Sequence, residues 1–93
     1  MLPYDNPLIC PFCGGDYLHH EQIDIFNRNR EDSVEGLTIT IQSTACAIST
    51  NADNDNPSRR RDGIRIKLWC EGCQKYPIMT IVQHKGQTFI TWE

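Results

Sequence analysis

The sequence lacks the features that would direct a protein into or across a membrane. No apolar stretch approaches the ~20 residues that a spanning helix needs. Residues 2–5 also lack the basic start and the apolar segment of a secretory signal. We therefore expect a soluble, cytoplasmic protein with no membrane contact.

Apolar and aromatic residues are scarce for a chain of this size. Hydrophobic residues make up 39% and aromatic residues 9% of the 93 positions. A chain of this length buries only about 60 to 65% of its unfolded surface, so its core alone gives marginal stability. No segment repeats apart from two short cysteine motifs. We predict a single domain over residues 1–93 that needs an additional link between its parts.

Recognisable catalytic patterns are also missing. The chain has no phosphate-binding glycine loop, no paired carboxylates and no Ser-His-Asp arrangement. Cys46 has no neighbouring base to activate it, and His84 falls beside a predicted turn. His19 and His20 are adjacent, so in a strand they point to opposite faces and cannot enter one site. We expect no enzymatic activity and no small-molecule substrate, and the sequence assigns no role to these residues.

The cysteines that are present follow a metal-binding pattern. Four of the five form two Cys-x-x-Cys pairs, Cys10 with Cys13 and Cys70 with Cys73. An odd count arranged in paired motifs favours a metal site in a reducing compartment over a set of disulfides. Two intervening residues let one tight turn aim both thiolates at a single ion, and zinc prefers four such ligands in a tetrahedron. We predict one structural zinc ion held by these four cysteines.

The two cysteine pairs differ in the residues that surround them. Pro11 stiffens the first turn and Gly14 can adopt the left-handed conformation, whereas Gln74 takes the equivalent place in the second. We expect Gly72 to absorb the strain there. Because 56 residues separate the two pairs, metal binding is expected to contribute directly to the folding free energy. The alternatives are buried thiols, a redox disulfide or a rubredoxin-like iron atom.

The motifs CPFCGG and WCEGC resemble the knuckles of the zinc-ribbon class. The resemblance implies two knuckles at hairpin tips that hold one zinc ion. The insert over residues 17–62 is much longer than a minimal ribbon carries, and an architecture of this kind leaves the activity open. The segments NPSRRRDG, WCEGC and QHKGQTF are also similar to small uncharacterised bacterial and phage-type proteins, which implies no particular activity.

The remaining pattern is that of a mainly β protein with little helix. Alternation of apolar residues predicts strands over residues 17–26, 37–42, 63–70, 77–83 and 88–92. A tight hairpin is predicted at Lys85 and Gly86. Small polar residues predict a mobile loop over 43–56, and the Asn-Pro start of the next segment predicts a short helical turn over 57–62. We expect a zinc-ribbon-like antiparallel sheet of about five strands with a long insert between the knuckles.

Charge is unevenly distributed along the chain. Residues 1–58 carry two arginines and nine acidic residues, whereas residues 59–93 carry seven basic and three acidic residues. Basic side chains beside an aromatic ring are typical of surfaces that bind single-stranded nucleic acid. The candidate contacts are Arg59, Arg60, Arg61, Arg65, Lys67, Trp69, Lys75 and Lys85. We predict a non-enzymatic zinc module that binds nucleic acid through these residues.

Other interpretations of the surface stay open. The basic face is compatible with a solvated sheet surface on which lysine stems cover Trp69. The acidic N-terminal half or an exposed sheet edge predicts instead a protein-protein interaction adaptor. An iron site would predict an electron carrier.

Overall fold

The computed structural model describes residues 7–28, 30, 33–51, 56–59 and 61–93. Over these residues the chain forms six β-strands and no helix. The strands are β1 (Leu18–Arg28), β2 (Glu35–Gln42), β3 (Ala45–Asn51), β4 (Gly63–Cys70), β5 (Ile78–His84) and β6 (Gln87–Trp92). The predicted mainly β fold is therefore confirmed.

All six strands belong to one antiparallel sheet with the order β3-β2-β1-β4-β5-β6. Two three-stranded meanders are thus joined along β1 and β4. Each strand contacts only its neighbours in this order, so the described strands make a single layer. Sequence alternation predicts about five strands, and the structure has six.

The additional strand is β3. The composition of residues 43–56 predicts a mobile loop, but residues 43–44 form a tight turn and Ala45–Asn51 pair with β2. Every residue of β3 is exposed. Small residues are tolerated at this position because an edge strand pairs on one side only, and β3 buries neither of its faces in the single chain. Residues 52–55 lie outside the described residues.

One face of the sheet is almost entirely aliphatic. Residues directly opposite each other in neighbouring strands share a face, and Ile25 is opposite both Ile39 and Ile64. We call this the isoleucine face. Its members are Ile23, Ile25, Leu37, Ile39, Ile41, Cys46, Ile48, Ile64, Ile66, Leu68, Met79, Ile81, Ile90 and Trp92.

The opposite side, which we call the polar face, carries the basic residues of β4. Arg65 and Lys67 lie on it, opposite Asp24 and Gln22 of β1. Asp24 is only 9% exposed. Its carboxylate accepts hydrogen bonds from Gln22 Nε2 at 3.2 Å and from Thr40 Oγ1 at 2.7 Å. These donors satisfy a charged group that the sheet buries near its centre.

The far end of the sheet, away from the cysteine motifs, is covered by the segment that leads into β4. Gly63 is buried beneath this segment, and a Cβ atom there would lie 2.5 Å from Asn56 Oδ1. Only glycine therefore allows so close an approach. The described part of 57–62 consists of bends, so the predicted helical turn is wrong. Arg60 lies outside the described residues.

Arg28 binds this segment through its backbone carbonyl groups. Its guanidinium donates hydrogen bonds to the carbonyl oxygens of Ser33 at 2.7 Å, Ser58 at 3.0 Å, Arg59 at 3.1 Å and Arg61 at 2.9 Å. Three of these carbonyl groups belong to the segment that leads into β4, and that of Ser33 belongs to the loop before β2. Arg28 is only 7% exposed. One buried cation thus ties β1 to two separate loops.

Fully buried apolar side chains are few. The largest are Phe26, Leu68, Pro77, Cys10 and Cys70. Phe26 lies opposite Gly63 at the far end, whereas the others belong to the cysteine motifs and the residues beside them. The core is small, in line with the low apolar content, and is split between the two ends of the sheet.

Candidate metal centre

Four cysteines meet at one end of the sheet. Cys10 and Cys13 precede β1, whereas Cys70 and Cys73 lie at the turn between β4 and β5. Because β1 and β4 are neighbours, Leu18 pairs with Cys70 and brings the two motifs together. The four sulfur atoms all lie within 4.8 Å of one another.

The sulfur separations fit a shared ion better than disulfide bonds. Cys10 Sγ lies 3.8 Å from Cys73 Sγ, and Cys13 Sγ lies 3.5 Å from Cys70 Sγ. Four sulfurs placed tetrahedrally at ~2.3 Å from an ion are about 3.8 Å apart, whereas a disulfide requires about 2.05 Å. All four thiols are free. The donor set is compatible with one four-coordinate metal ion.

Both motifs adopt the same backbone turn. The Gly14 N–H donates to the Cys10 carbonyl oxygen at 2.9 Å, and the Gln74 N–H donates to the Cys70 carbonyl oxygen at 2.8 Å. Gly14 has a φ of 79° and Gln74 a φ of 58°. The left-handed residue of the second turn is therefore Gln74, and the expectation that Gly72 absorbs the strain is wrong. A non-glycine residue in this conformation costs about 1 to 2 kcal/mol.

Backbone groups surround the sulfur atoms closely. The backbone nitrogen of Phe12 lies 3.4 Å from Cys10 Sγ, and the backbone nitrogen of Gly15 lies 3.4 Å from Cys13 Sγ. Backbone N–H groups that point at sulfur atoms are common around the cysteine ligands of metal sites. A Cβ atom at Gly72 would lie 3.4 Å from Cys13 Sγ. Glycine thus keeps the space beside the sulfur open.

Hydrogen bonding also separates the acidities of two thiols. The backbone N–H of Cys73 lowers the pKa of Cys70 to about 7, against the effect of desolvation. The Gly15 N–H lowers the pKa of Cys13, but the Cys70 thiol and desolvation act the other way and raise that pKa to about 11. A cation among the four sulfurs would favour every thiolate and remove this difference.

Aromatic rings and ammonium groups lie together beside the cysteine motifs. Lys67 Nζ is 4.9 Å from the centre of the Tyr76 ring, and Lys75 Nζ is 5.1 Å from the centre of the Phe12 ring. Phe12 is 54% and Tyr76 50% exposed. The second pair joins the two motifs, since Phe12 belongs to the first and Lys75 follows the second. Both pairs have the geometry of cation–π contacts.

Trp69 extends this group along β4. It lies two residues from Lys67 and therefore on the same face, and its ring centre is 5.7 Å from that of His19. His19 Nε2 is in turn 2.9 Å from Glu71 Oε1. We call the whole group the knuckle surface. It consists of Phe12, His19, Lys67, Trp69, Lys75 and Tyr76.

The structure divides the predicted basic residues between the two ends of the sheet. The eight-residue strand β4 separates these ends by about 23 Å. Arg65 lies between them, and its Nε is 2.7 Å from Glu93 Oε2. The residues at the metal end are Lys67, Trp69 and Lys75, and those at the far end are Arg59, Arg61 and Lys85. The predicted set is therefore not one continuous cluster.

Sequence reasoning missed three members of the knuckle surface. Phe12 lies in the first turn and Tyr76 in the irregular segment after the second turn, outside any strand alternation, and the sequence assigns no role to His19. A usable signal was the position of Phe12 and Tyr76 directly within or after a cysteine motif. As expected, His19 and His20 point to opposite faces, since His19 is opposite Trp69 and His20 is opposite Leu68.

The two other singled-out residues lie away from the cysteine cluster. Cys46 is exposed on the isoleucine face of β3, and His84 is exposed at the far end of β5. The hairpin predicted at Lys85 and Gly86 is confirmed, with φ values of 51° and 79°. Neither Cys46 nor His84 belongs to the candidate metal centre.

Comparison of the chain with protein-family models, with curated proteins and with solved structures gives no match. Among the described residues there is no helix of the length and hydropathy needed to cross a membrane. The four clustered cysteines and the knuckle surface beside them are therefore the features from which a function can be argued.

Proposed function

We propose that the protein is a non-enzymatic zinc module that binds single-stranded nucleic acid through its knuckle surface. Four thiolates complete a tetrahedral zinc site and leave no position for a catalytic water. The metal would then serve to fix the two turns that carry Phe12 and Tyr76. A reducing cytoplasm, expected from the free cysteines, would keep the ligands available.

The pairing of exposed rings with ammonium groups carries the proposal. Tyr76 and Phe12 each have a lysine Nζ within 4.9 and 5.1 Å of the ring centre. Such a pair offers a ring on which a base can stack and a cation for the adjoining phosphate. Stacking of this kind contributes about 1 to 3 kcal/mol per base and tolerates any sequence. We therefore expect binding with little sequence preference.

Charged residues outside the knuckle surface are less suited to direct contact with nucleic acid. Arg65 already pairs with Glu93, and Lys85 lies in the hairpin at the opposite end of the sheet. We assign to these residues a weaker, long-range attraction that salt screens. The same substitution should therefore weaken binding more at a residue of the knuckle surface than at one of these distant residues.

The test is fluorescence anisotropy with labelled oligo(dT), oligo(U) and a DNA duplex. We expect tighter binding of the single strands, an affinity that falls with salt, and a loss of about tenfold for Tyr76→Ala and for Lys67→Gln. The matched controls are Phe89→Ala, an exposed ring of the polar face on β6, and Lys85→Gln. Absence of binding at low salt, or equal losses in variants and controls, would contradict the proposal.

A second candidate function rests on the edge strand β3. Its sequence, ACAISTN, contains no charge and no proline, and all its residues are exposed. Natural edge strands usually carry a charged residue or a proline that prevents pairing with another chain, and β3 has neither. This edge can therefore accept a strand from another protein. A single partner that copurifies after nuclease treatment and is lost with Ala47→Pro would favour this adaptor role over nucleic-acid binding.

A further inference from the structure

The isoleucine face is apolar, and no described strand lies over it, although Leu68 at its metal end is buried. Sheets in stable domains bury an apolar face against another layer, yet each described strand contacts only its neighbours within the sheet. Ile48 is 67% and Ile90 64% exposed, whereas Asp24 on the opposite face is 9% exposed. Aliphatic side chains are thus more exposed than a charged one, the reverse of what burial energetics favour.

The face approaches the size of the smaller stable interfaces. Six strands at ~4.8 Å spacing, with two or three apolar positions on each, give a flat area of about 500 Å². Projecting side chains have more accessible area than this. A stable interface buries about 600 to 1,000 Å² on each partner, and the largest apolar patch of a typical monomer is about 300 to 600 Å².

The chemistry of the face points to its partner. Its centre carries no charge, and the polar side chains lie at its rim, with Asn27 and Gln83 at the far end and His20 at the metal end. A charged partner therefore has nothing to pair with at the centre. The matching surface is a second uncharged sheet with aliphatic side chains at the same spacing, which the chain itself provides.

We propose that two copies of the protein pack isoleucine face against isoleucine face. Two such sheets stack ~10 Å apart with their strands about 30° from parallel, and a twofold axis lets identical faces meet. The dimer then has a second layer, which the described strands of the single chain do not form. His19, Lys67 and Trp69 of each knuckle surface remain outside the interface, because they lie on the polar face. The proposal does not depend on nucleic-acid binding.

Analytical ultracentrifugation over a wide range of concentrations tests the proposal. We expect wild-type protein at twice the chain mass of 10.7 kDa. The double variant Ile48→Lys/Ile90→Lys is expected to raise the dimer dissociation constant at least about 100-fold, since each substitution buries a charge in the interface. Both positions are largely exposed in the single chain, so the fold should tolerate them, and metal content and circular dichroism should match the wild type.

The control is Ser49→Lys/Phe89→Lys. These residues are the immediate neighbours of Ile48 and Ile90 and point to the polar face, so the same charges there should leave the dimer intact. On wild-type protein, NMR contacts between isoleucine methyl groups of differently labelled copies would support face packing directly. A wild-type monomer at all concentrations, equal dissociation of both double variants, or contacts between backbone amides of two β3 edges would overturn the proposal.

Discussion

The two ends of the sheet are closed by different polar centres. At the metal end four sulfur atoms lie within 4.8 Å of one another, and at the far end one guanidinium binds four carbonyl oxygens. Each centre holds together loops that a small apolar core could not fix. The difference is that the first, if it binds metal as proposed, depends on an ion from outside, whereas the second is part of the chain. Removing the ion and removing the arginine should therefore have unequal effects.

The largest effect is expected from loss of the metal. Structural zinc contributes about 10 to 16 kcal/mol in small zinc-finger peptides, which is as large as the total stability of about 5 to 15 kcal/mol that folded domains have. A strong chelator, or Cys70→Ser, should abolish the cooperative thermal transition followed by circular dichroism. Cys46→Ser, which removes an exposed thiol outside the cluster, should melt like the wild type. An unchanged transition after chelation would contradict this prediction.

The second-largest loss of stability is expected from a substitution at the far end of the sheet. Arg28→Met should lower the free energy of unfolding by about 3 kcal/mol, because it leaves buried carbonyl groups without their donor. The metal should stay bound, since the cysteine motifs lie at the other end. Chemical denaturation with parallel metal analysis measures both. Arg30→Met is the control, because Arg30 is exposed, and it should change stability by less than about 0.5 kcal/mol. Equal losses in the two variants would contradict the role of Arg28.

The smallest effect compares the two cysteine turns. Gln74→Gly should raise the free energy of unfolding by about 1 kcal/mol, because glycine adopts the left-handed conformation of Gln74 without strain. Gly14→Ala should lower it by a similar amount. Gln74→Ala is the control, since it keeps the Cβ atom and should bring no gain. A destabilised Gln74→Gly protein would show that the glutamine side chain has a role that the backbone does not reveal.

The metal end could be predicted from the sequence because its pattern is local. Two residues between paired cysteines specify a turn, and alternating residues such as Ile64 and Ile66 specify the strand that leads into one pair. The strands β1, β2, β4, β5 and β6 were predicted for the same reason. What the local pattern could not predict was that Gln74 takes the left-handed conformation.

The contacts at the far end and the strand β3 could not be predicted from a local sequence pattern. Arg28 bonds to carbonyl oxygens at positions 33, 58, 59 and 61, and every residue type has such an oxygen. The strand β3 is exposed on both sides, so it needs no apolar alternation. The knuckle surface was predicted in part, because Lys67 and Trp69 alternate on a strand, whereas Phe12 and Tyr76 reach it through the turns.

The central claim is that the four clustered cysteines bind one zinc ion in each chain. Elemental analysis of freshly purified, untagged protein, expressed with both zinc and iron in the medium, tests it most directly. The account predicts one zinc per chain, no iron and no colour, both for the wild type and for Cys46→Ser. Protein that folds with well under one metal ion per chain, or that carries a stoichiometric red iron centre, would contradict it.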